Sequence, residues 1–466
     1  MLTAVLVFYL ALSLGIDFYI KRRAKKASDF LIAGRQLGLP LTTATLAAVQ
    51  IGAGVVLGSS EVAAASGVWP GLWYGLGCGG GLILAGVLVA ARLRHLGGVV
   101  PLDFFAKRYG KERWVRVWAW LSNIPSLMGI LVAQLIAAGS VLSVFGFDFK
   151  HGVILISAVL LFYSVMAGMW GVVLVDFVQV GIIILGIPLV TIVSIFKLGS
   201  IHAVSSLLAT PFVPAGMGSQ AVFLIVPFLL AISVSYNAFM RYQSARSART
   251  AQWGCILAGI MVIFVSFCTA LSGAAGHLMY PKVSYSAVLP HTISSVLPPV
   301  LAGVVVAGLL GAAMNSGSSL LIGLAGCFSR DFYNMVLHPT ESLDELKYAR
   351  LVSRATIAVA LAAAVMIAFV AKGILPTMIL FNYPYMGSLL IPLLGGVLWR
   401  GANIKGAFAS MLAGGCIAMA ALFMGAAGWR AAWFNVDLGL MIAYAVSAVV
   451  FVIVSQLTKV TAASHA

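Results

Sequence analysis

Charge is what this chain has least of. Charged side chains make up 9% of its 466 residues, against roughly 25% in soluble proteins. That scarcity excludes a water-soluble globular protein. With 62% hydrophobic residues and a mean hydropathy of +1.08, it marks an all-α polytopic membrane protein. Acidic residues are scarcer still, 12 against 28 Lys and Arg, for a net charge of +16. The excess is not a nucleic-acid footprint, because the basic residues concentrate in alternate loops, the positive-inside pattern. Contact with acidic lipid on the inner leaflet accounts for it. The five cysteines (Cys78, Cys255, Cys268, Cys327 and Cys416) lie in apolar runs without metal-ligand spacing and read as buried thiols. No GxxxxGK[ST] phosphate loop is present, so nothing points to nucleotide hydrolysis. The seven histidines are scattered, and no nucleophile, base and metal set clusters as an enzyme would need. No polar stretch is long enough for a separate soluble domain.

What is present is a succession of apolar runs. A crossing helix needs about 20 apolar residues, and the length accommodates about thirteen. Span 1 covers residues 2–21; it has no cleavage-like site and is followed by KRRAKK, so it reads as a retained helix with the N-terminus outside and the C-terminus inside. Residues 1–37 then form the first helix and a cytoplasmic loop, 38–198 and 219–400 form two five-helix blocks, and 401–466 form two final helices. The membrane is expected to be the cytoplasmic one.

Two spans carry signs of interruption. Span 2, LAAVQIGAGVVLGSSE, places Gly52, Gly54 and Gly58 in one apolar run, where each weakens a helix by about 1 kcal/mol relative to alanine. Broken backbone in a membrane must line a cavity or contact protein, and carbonyls freed near Ala48 and Ile51 suit a cation. Span 7 gathers Ser233, Ser235, Tyr236 and Asn237. Spans 2 and 7 each open a five-helix block, which fits an inverted five-plus-five repeat with its site at the broken pair. In span 9, Ala312, Asn315, Ser316 and Ser319 fall at i, i+3, i+4 and i+7 and form one stripe, with Ser318 beside it. Side-chain oxygens there suit a hard cation; the same small residues also suit close helix packing. Two carboxylates lie within spans, Asp176 in span 6 and Glu61 in the outer half of span 2, and an intramembrane carboxylate is a functional candidate by default. Asp176 could serve a second cation position or a packing hydrogen bond. Glu61 could meet a substrate cation, carry a coupling proton or line an outer vestibule, and its position favours the last.

Several stretches resemble the sodium/solute symporter family: DFLIAGRQLG (29–38), SAVLPHTISSVLPPVLAGVVVAGLLGAAMNSGSSLLIGLAGCFSRDFY (286–333) and GSLLIPLLGGVLWRGANIKGA (387–407), with weaker matches at 163–179 and 239–247. They span most of the chain in the family's order. The resemblance implies a leucine-transporter type of fold with thirteen helices and Na⁺-driven uptake of a small solute. It also implies one Na⁺ at the Ala48, Ile51 and Ala312 carbonyls and the Asn315 and Ser316 side chains. A second would sit at Asp176, Ser318 and Ser319. The position of Asn315 is usually serine in the family, which leaves proton-coupled or uncoupled transport open. A non-transporting sensor on the same scaffold is a further alternative. Solute contacts are expected at Gln50, Val55, Tyr74, Asn123, Ser235 and Tyr236. Span 4 has no mid-depth arginine to clamp a carboxylate.

Overall fold

The computed structural model describes residue 15 and residues 35–97, 101–110, 113–143, 145–166, 169–199, 201–337, 348–371, 373–427 and 436–458. The expected first span, 2–21, falls outside the described residues except for residue 15. In chain order the helices are α1 (Leu39–Gln50), a π-helical turn (Ala53–Gly58), α2 (Ser59–Ser66), α3 (Val68–Leu88), α4 (Ala90–Leu96), α5 (Pro101–Tyr109), α6 (Arg113–Ser143), α7 (Phe149–Met166), α8 (Met169–Lys197) and α9 (Ile201–Leu208). There follow α10 (Gly218–Ser233), α11 (Tyr236–Ser244), α12 (Ala248–Met279), α13 (Val288–Val296), α14 (Pro299–Gly326), α15 (Ala349–Val370), α16 (Ile374–Leu398), α17 (Ile404–Ala426) and α18 (Val436–Leu457). Among the described residues, ten helices are long and apolar enough to cross a membrane, or eleven when the bent pair Leu39–Gln50 and Ala53–Ser66 is one span. Phe149–Leu161 is a shorter apolar helix.

Lipid offers no hydrophobic drive between helices, so close approach of backbones holds them together. The most extensive helix pair, α3 against α12, shows how. A methyl placed on Gly79 would lie 2.6 Å from the Gly259 carbonyl oxygen, and Gly259 meets the Gly79 carbonyl in return. The glycines GLGCGGG of α3 are thus space, not flexibility.

At one end of the molecule, the chain entering α1 is stapled to the exit of α11. Leu37 N–H donates to Ser244 O at 3.1 Å and Arg246 N–H donates to Leu37 O at 2.9 Å. Arg94 Nε adds a bond to Ala245 O at 2.8 Å.

Helix α16 is held by opposite charges at its two ends. At its start, the Ile374 N–H donates to Glu61 Oε2 at 3.3 Å. At its end, Arg108 donates to the carbonyls of Gly396, Trp399 and Arg400 at 3.0–3.2 Å. Tyr109 beside it donates to Pro392 O at 2.7 Å, and burial lifts its phenol above the ordinary value, so the donor is kept. Both charges complement the helix dipole. Glu61 therefore ties α2 to the start of α16. We expect Glu61→Ala to cost about 1 kcal/mol, read as a lower melting temperature, with Glu61→Gln between it and wild type. An unchanged melt would show that the contact carries no weight.

Candidate functional site

The site is built where α1 stops. Ile51 (φ −76°, ψ 56°) and Gly52 (φ −114°, ψ −154°) leave the helical region. The chain resumes as the π-helical turn and α2, bent by 57° from α1. The rotated 51–52 peptide interrupts the hydrogen-bond ladder beside Ala48 and Ile51, both buried. An interruption at membrane depth needs partners from the protein. Gln134 of α6 supplies one: its Oε1 accepts from Ala53 N–H at 3.3 Å. Glycine at 52 permits this approach, since a Cβ there would lie 3.1 Å from Gln134 Nε2 and 3.6 Å from Ser316 Oγ of α14. At Gly54 a Cβ would lie 2.7 Å from Met378 Cε and 2.9 Å from Tyr74 Cε1.

A second interruption separates α10 from α11. Val234 (φ −123°, ψ 13°) and Ser235 (φ −59°, ψ 149°) leave the helix, and Ser235 Oγ caps α11 by accepting from Ala238 N–H at 3.3 Å. The carbonyls exposed there are taken by tyrosines: Tyr242 OH donates to Ser233 O at 3.1 Å and Tyr385 OH to Val234 O at 3.0 Å.

Between the two interruptions lies a partly open cavity, lined by residues from both of them. Gln50, Tyr74, Asn123 and Ser235, all singled out from the sequence, line it. Val55 does not. It is fully buried behind the wall, and its carbonyl accepts from Thr269 Oγ1 at 3.3 Å. The Tyr236 side chain lies outside the described residues. Asn237, noted in span 7 but not as a solute contact, also lines it, and sequence reasoning missed Ser126, Gln134, Phe228, Asn382 and Tyr385, which line it too. A signal was available. Asn123, Ser126, Leu127, Ile130 and Gln134 follow i, i+3, i+4, i+7 and i+11 on α6, and Met378, Asn382, Tyr385 and Met386 follow i, i+4, i+7 and i+8 on α16.

A smaller cavity adjoins the first. Val49, Ile130, Gln134 and Asn237 belong to both, and Asp176, Arg241, Ser316, Ser319 and Leu320 complete it. The structure thus brings Asp176, Ser316 and Ser319 together. Ser318 is fully buried, and Ala312 is buried one turn before Ser316. The Asn315 side chain lies outside the described residues. The unexpected member is Arg241, which follows the apolar run of span 7 in the basic stretch RYQSARSAR. It is 4% exposed, and its Nη2 lies 3.9 Å from Asp176 Oδ2. Its Nε donates to the carbonyl and hydroxyl oxygens of Thr45, each at 3.2 Å, and its Nη1 donates to Asn237 O at 3.1 Å. Thr45 Oγ1 in turn donates to Asp176 Oδ2 at 2.7 Å. A carboxylate and a guanidinium, each too costly to bury alone, are neutralised by each other across α1, α8 and α11.

The chemistry of the two cavities differs. The smaller presents hydroxyl and carboxylate oxygens, of the kind a hard cation takes, beside the Arg241 guanidinium that faces the carboxylate. The larger presents amides and hydroxyls on one part of its wall and aromatic and thioether groups on another, the mix of an organic-solute site.

Known proteins resemble the chain over most of its length. The model of the sodium:solute symporter family matches residues 30–414. The sodium/pantothenate symporter of Haemophilus influenzae is 25% identical over 440 residues, covering 88% of each chain. The sodium/proline symporter of Staphylococcus aureus is 23% identical over 479 residues, covering 97% of this chain and 92% of its own. Among solved structures, a Na⁺-coupled sialic acid symporter in a substrate-bound, outward-open state superposes with a TM-score of 0.77 at 20% identity, covering 98% of both chains. The nucleobase-cation-symport-1 transporter Mhp1 does so at 0.55 and 13%, covering 93% of this chain and 95% of its own. The fold is therefore the leucine-transporter type expected from the sequence. With a family match over most of its length, this integral membrane chain belongs to the sodium:solute symporter family.

Proposed function

We propose that the chain couples Na⁺ to the uptake of a small organic solute by alternating access, with no catalytic step. The observation that carries this reading is the shared wall: two cavities of different chemistry meet at the interrupted helix and have four residues in common. Na⁺ is held by the carbonyls of Ala48, Ile51 and Ala312 with the side chains of Asn315 and Ser316. Asp176, Ser318 and Ser319 offer a second position, but a second Na⁺ there shares its carboxylate with Arg241. The first position is therefore the coupling site. Solute occupies the larger cavity, against Gln50, Tyr74, Asn123 and Ser235. The interruptions sit at the starts of two five-helix blocks, 38–198 and 219–400, related as an inverted repeat, and the blocks rock around the site. Basic loops face the cytoplasm, which places the N-terminus outside and the C-terminus inside the cytoplasmic membrane. Coupling follows only if Na⁺ binds the outward-open state better than the inward-open one.

The test needs no known solute. Purified protein is melted in NaCl and in choline chloride at matched ionic strength. A ligand bound only by the folded state stabilises it by about 2.7 kcal/mol at a hundredfold excess over its dissociation constant. We expect a saturable rise specific to Na⁺, weakened by Ser316→Ala and by Asn315→Ala. Identical curves in the two salts would reject the Na⁺ assignment.

A further inference from the structure

The walls of the larger cavity say what kind of solute fits. Among the described residues that line it, none carries a charge. Arg241 lies in the adjoining cavity, where its Nε donates to Thr45, its Nη1 donates to Asn237 O, and its Nη2 faces Asp176. An anion could instead be received at the N-terminus of a half-helix, where unpaired N–H groups point at the ligand. At each end a side chain already takes one of these groups: Gln134 Oε1 takes the Ala53 N–H, and Ser235 Oγ takes the Ala238 N–H. A carboxylate entering this space would leave water and meet no unmatched positive charge, which is costly.

The free hydrogen-bonding capacity is of another kind. Asn123 is 4% exposed, its Nδ2 faces Cys327 Sγ at 3.4 Å, and its Oδ1 is buried without a partner. Buried acceptors are ordinarily paired, so this oxygen waits for a donor. A carboxylate has none to give. The side-chain amides of Gln50 and Asn237 also line the cavity and make no hydrogen bond among the described residues. An amide offers a donor and an acceptor together, which complements hydroxyl, amide or ureide groups. Phe228, Met378 and Met386 supply an apolar face opposite these polar groups.

We propose that the solute is uncharged, carries several hydroxyl or amide groups beside an apolar face, and donates a hydrogen bond to Asn123 Oδ1. This rests on the reading of the larger cavity as the solute site of a symporter.

The experiment uses matched pairs that differ in one ionised group: panthenol and pantothenate, nicotinamide and nicotinate, glucose and glucuronate, with uridine, myo-inositol and proline added. Each is titrated against the purified full chain in NaCl and in choline chloride, with melting temperature as the readout. Hits are followed as Na⁺-driven uptake into proteoliposomes. We expect an uncharged compound to raise the melting temperature saturably, and the acid of its pair to bind at least tenfold more weakly. Asn123→Ala and Gln50→Ala should each weaken the uncharged compound at least fivefold while the response to Na⁺ alone is kept. Two variants at separate positions guard against one that fails to fold. An acid that binds as well as its uncharged partner overturns the proposal, as does a panel in which no uncharged compound binds. The two readings fail separately. Binding of an uncharged compound that ignores Na⁺ strikes the symport reading and leaves the solute class standing. A Na⁺-stabilised protein that takes only acids does the reverse.

Discussion

Arg241→Ala is expected to lower the melting temperature more than any single change in the cavity walls. Removing the guanidinium takes from the buried Asp176, 4% exposed, the cation that lies 3.9 Å from it. Breaking a buried pair in this way costs about 3–5 kcal/mol. Arg241→Lys should recover only part of that. Lysine cannot reproduce the fork by which Arg241 reaches Thr45, Asn237 and Asp176 at once. The double variant Arg241→Ala with Asp176→Asn should be more stable than Arg241→Ala alone, since the buried charge that Arg241 faced is gone. A double variant as unstable as the sum of its parts would show that Arg241 acts through packing and not through Asp176. The salt used adds a second reading. If Asp176 with Ser316 and Ser319 is a cation position, Na⁺ should restore stability to Arg241→Ala where choline does not.

The pair also shows how far the sequence could be read. The membrane class and the interruption in span 2 were legible because they rest on local facts: apolar runs of fixed length, and three glycines in one span. The cavity-lining residues Gln50, Tyr74, Asn123 and Ser235 were legible because a polar group inside an apolar run has few other uses. Asp176 was recognised as an intramembrane carboxylate, but its partner was not. Arg241 follows span 7 in a basic stretch, RYQSARSAR, and the positive-inside rule assigns such a residue to the cytoplasm. Only the second interruption, at Val234 and Ser235, turns α11 so that Arg241 meets α8 and α1. That is a tertiary fact with no local signature. Val55 failed for the opposite reason. Its neighbours Gly52 and Gly54 line the cavity, but the π-helical turn after Gly52 changes the angular spacing of side chains, and Val55 ends against α12. The missed stripes on α6 and α16 had the ordinary helical period; polar residues such as Gln134 and Asn382 were simply not lined up along it.

Gln134→Leu is the change expected to separate the two cavities in function. Gln134 lines both, holds the first N–H after the interruption, and lies against Gly52 and, across it, Ser316. Leucine keeps most of the volume but offers no acceptor, so the Ala53 N–H is left unpaired at a cost of about 1–3 kcal/mol. The larger effect should fall on coupling. A Na⁺ at the Ala48 and Ile51 carbonyls and a solute at Gln50 act on the same few peptides, and Gln134 is the side chain that fixes where those peptides sit. Coupling between two ligands is ordinarily worth about 1–3 kcal/mol, a 5–150-fold change in affinity, and is reciprocal. In wild type, the solute should therefore sharpen the Na⁺ titration as much as Na⁺ sharpens the solute titration. In Gln134→Leu both factors should fall towards one together, while each ligand alone still shifts the melting temperature. Loss of Na⁺ binding outright would make Gln134 part of the ion site. An unchanged coupling factor would mean that the interrupted backbone transmits the signal without it, through α2 and its contact with α16.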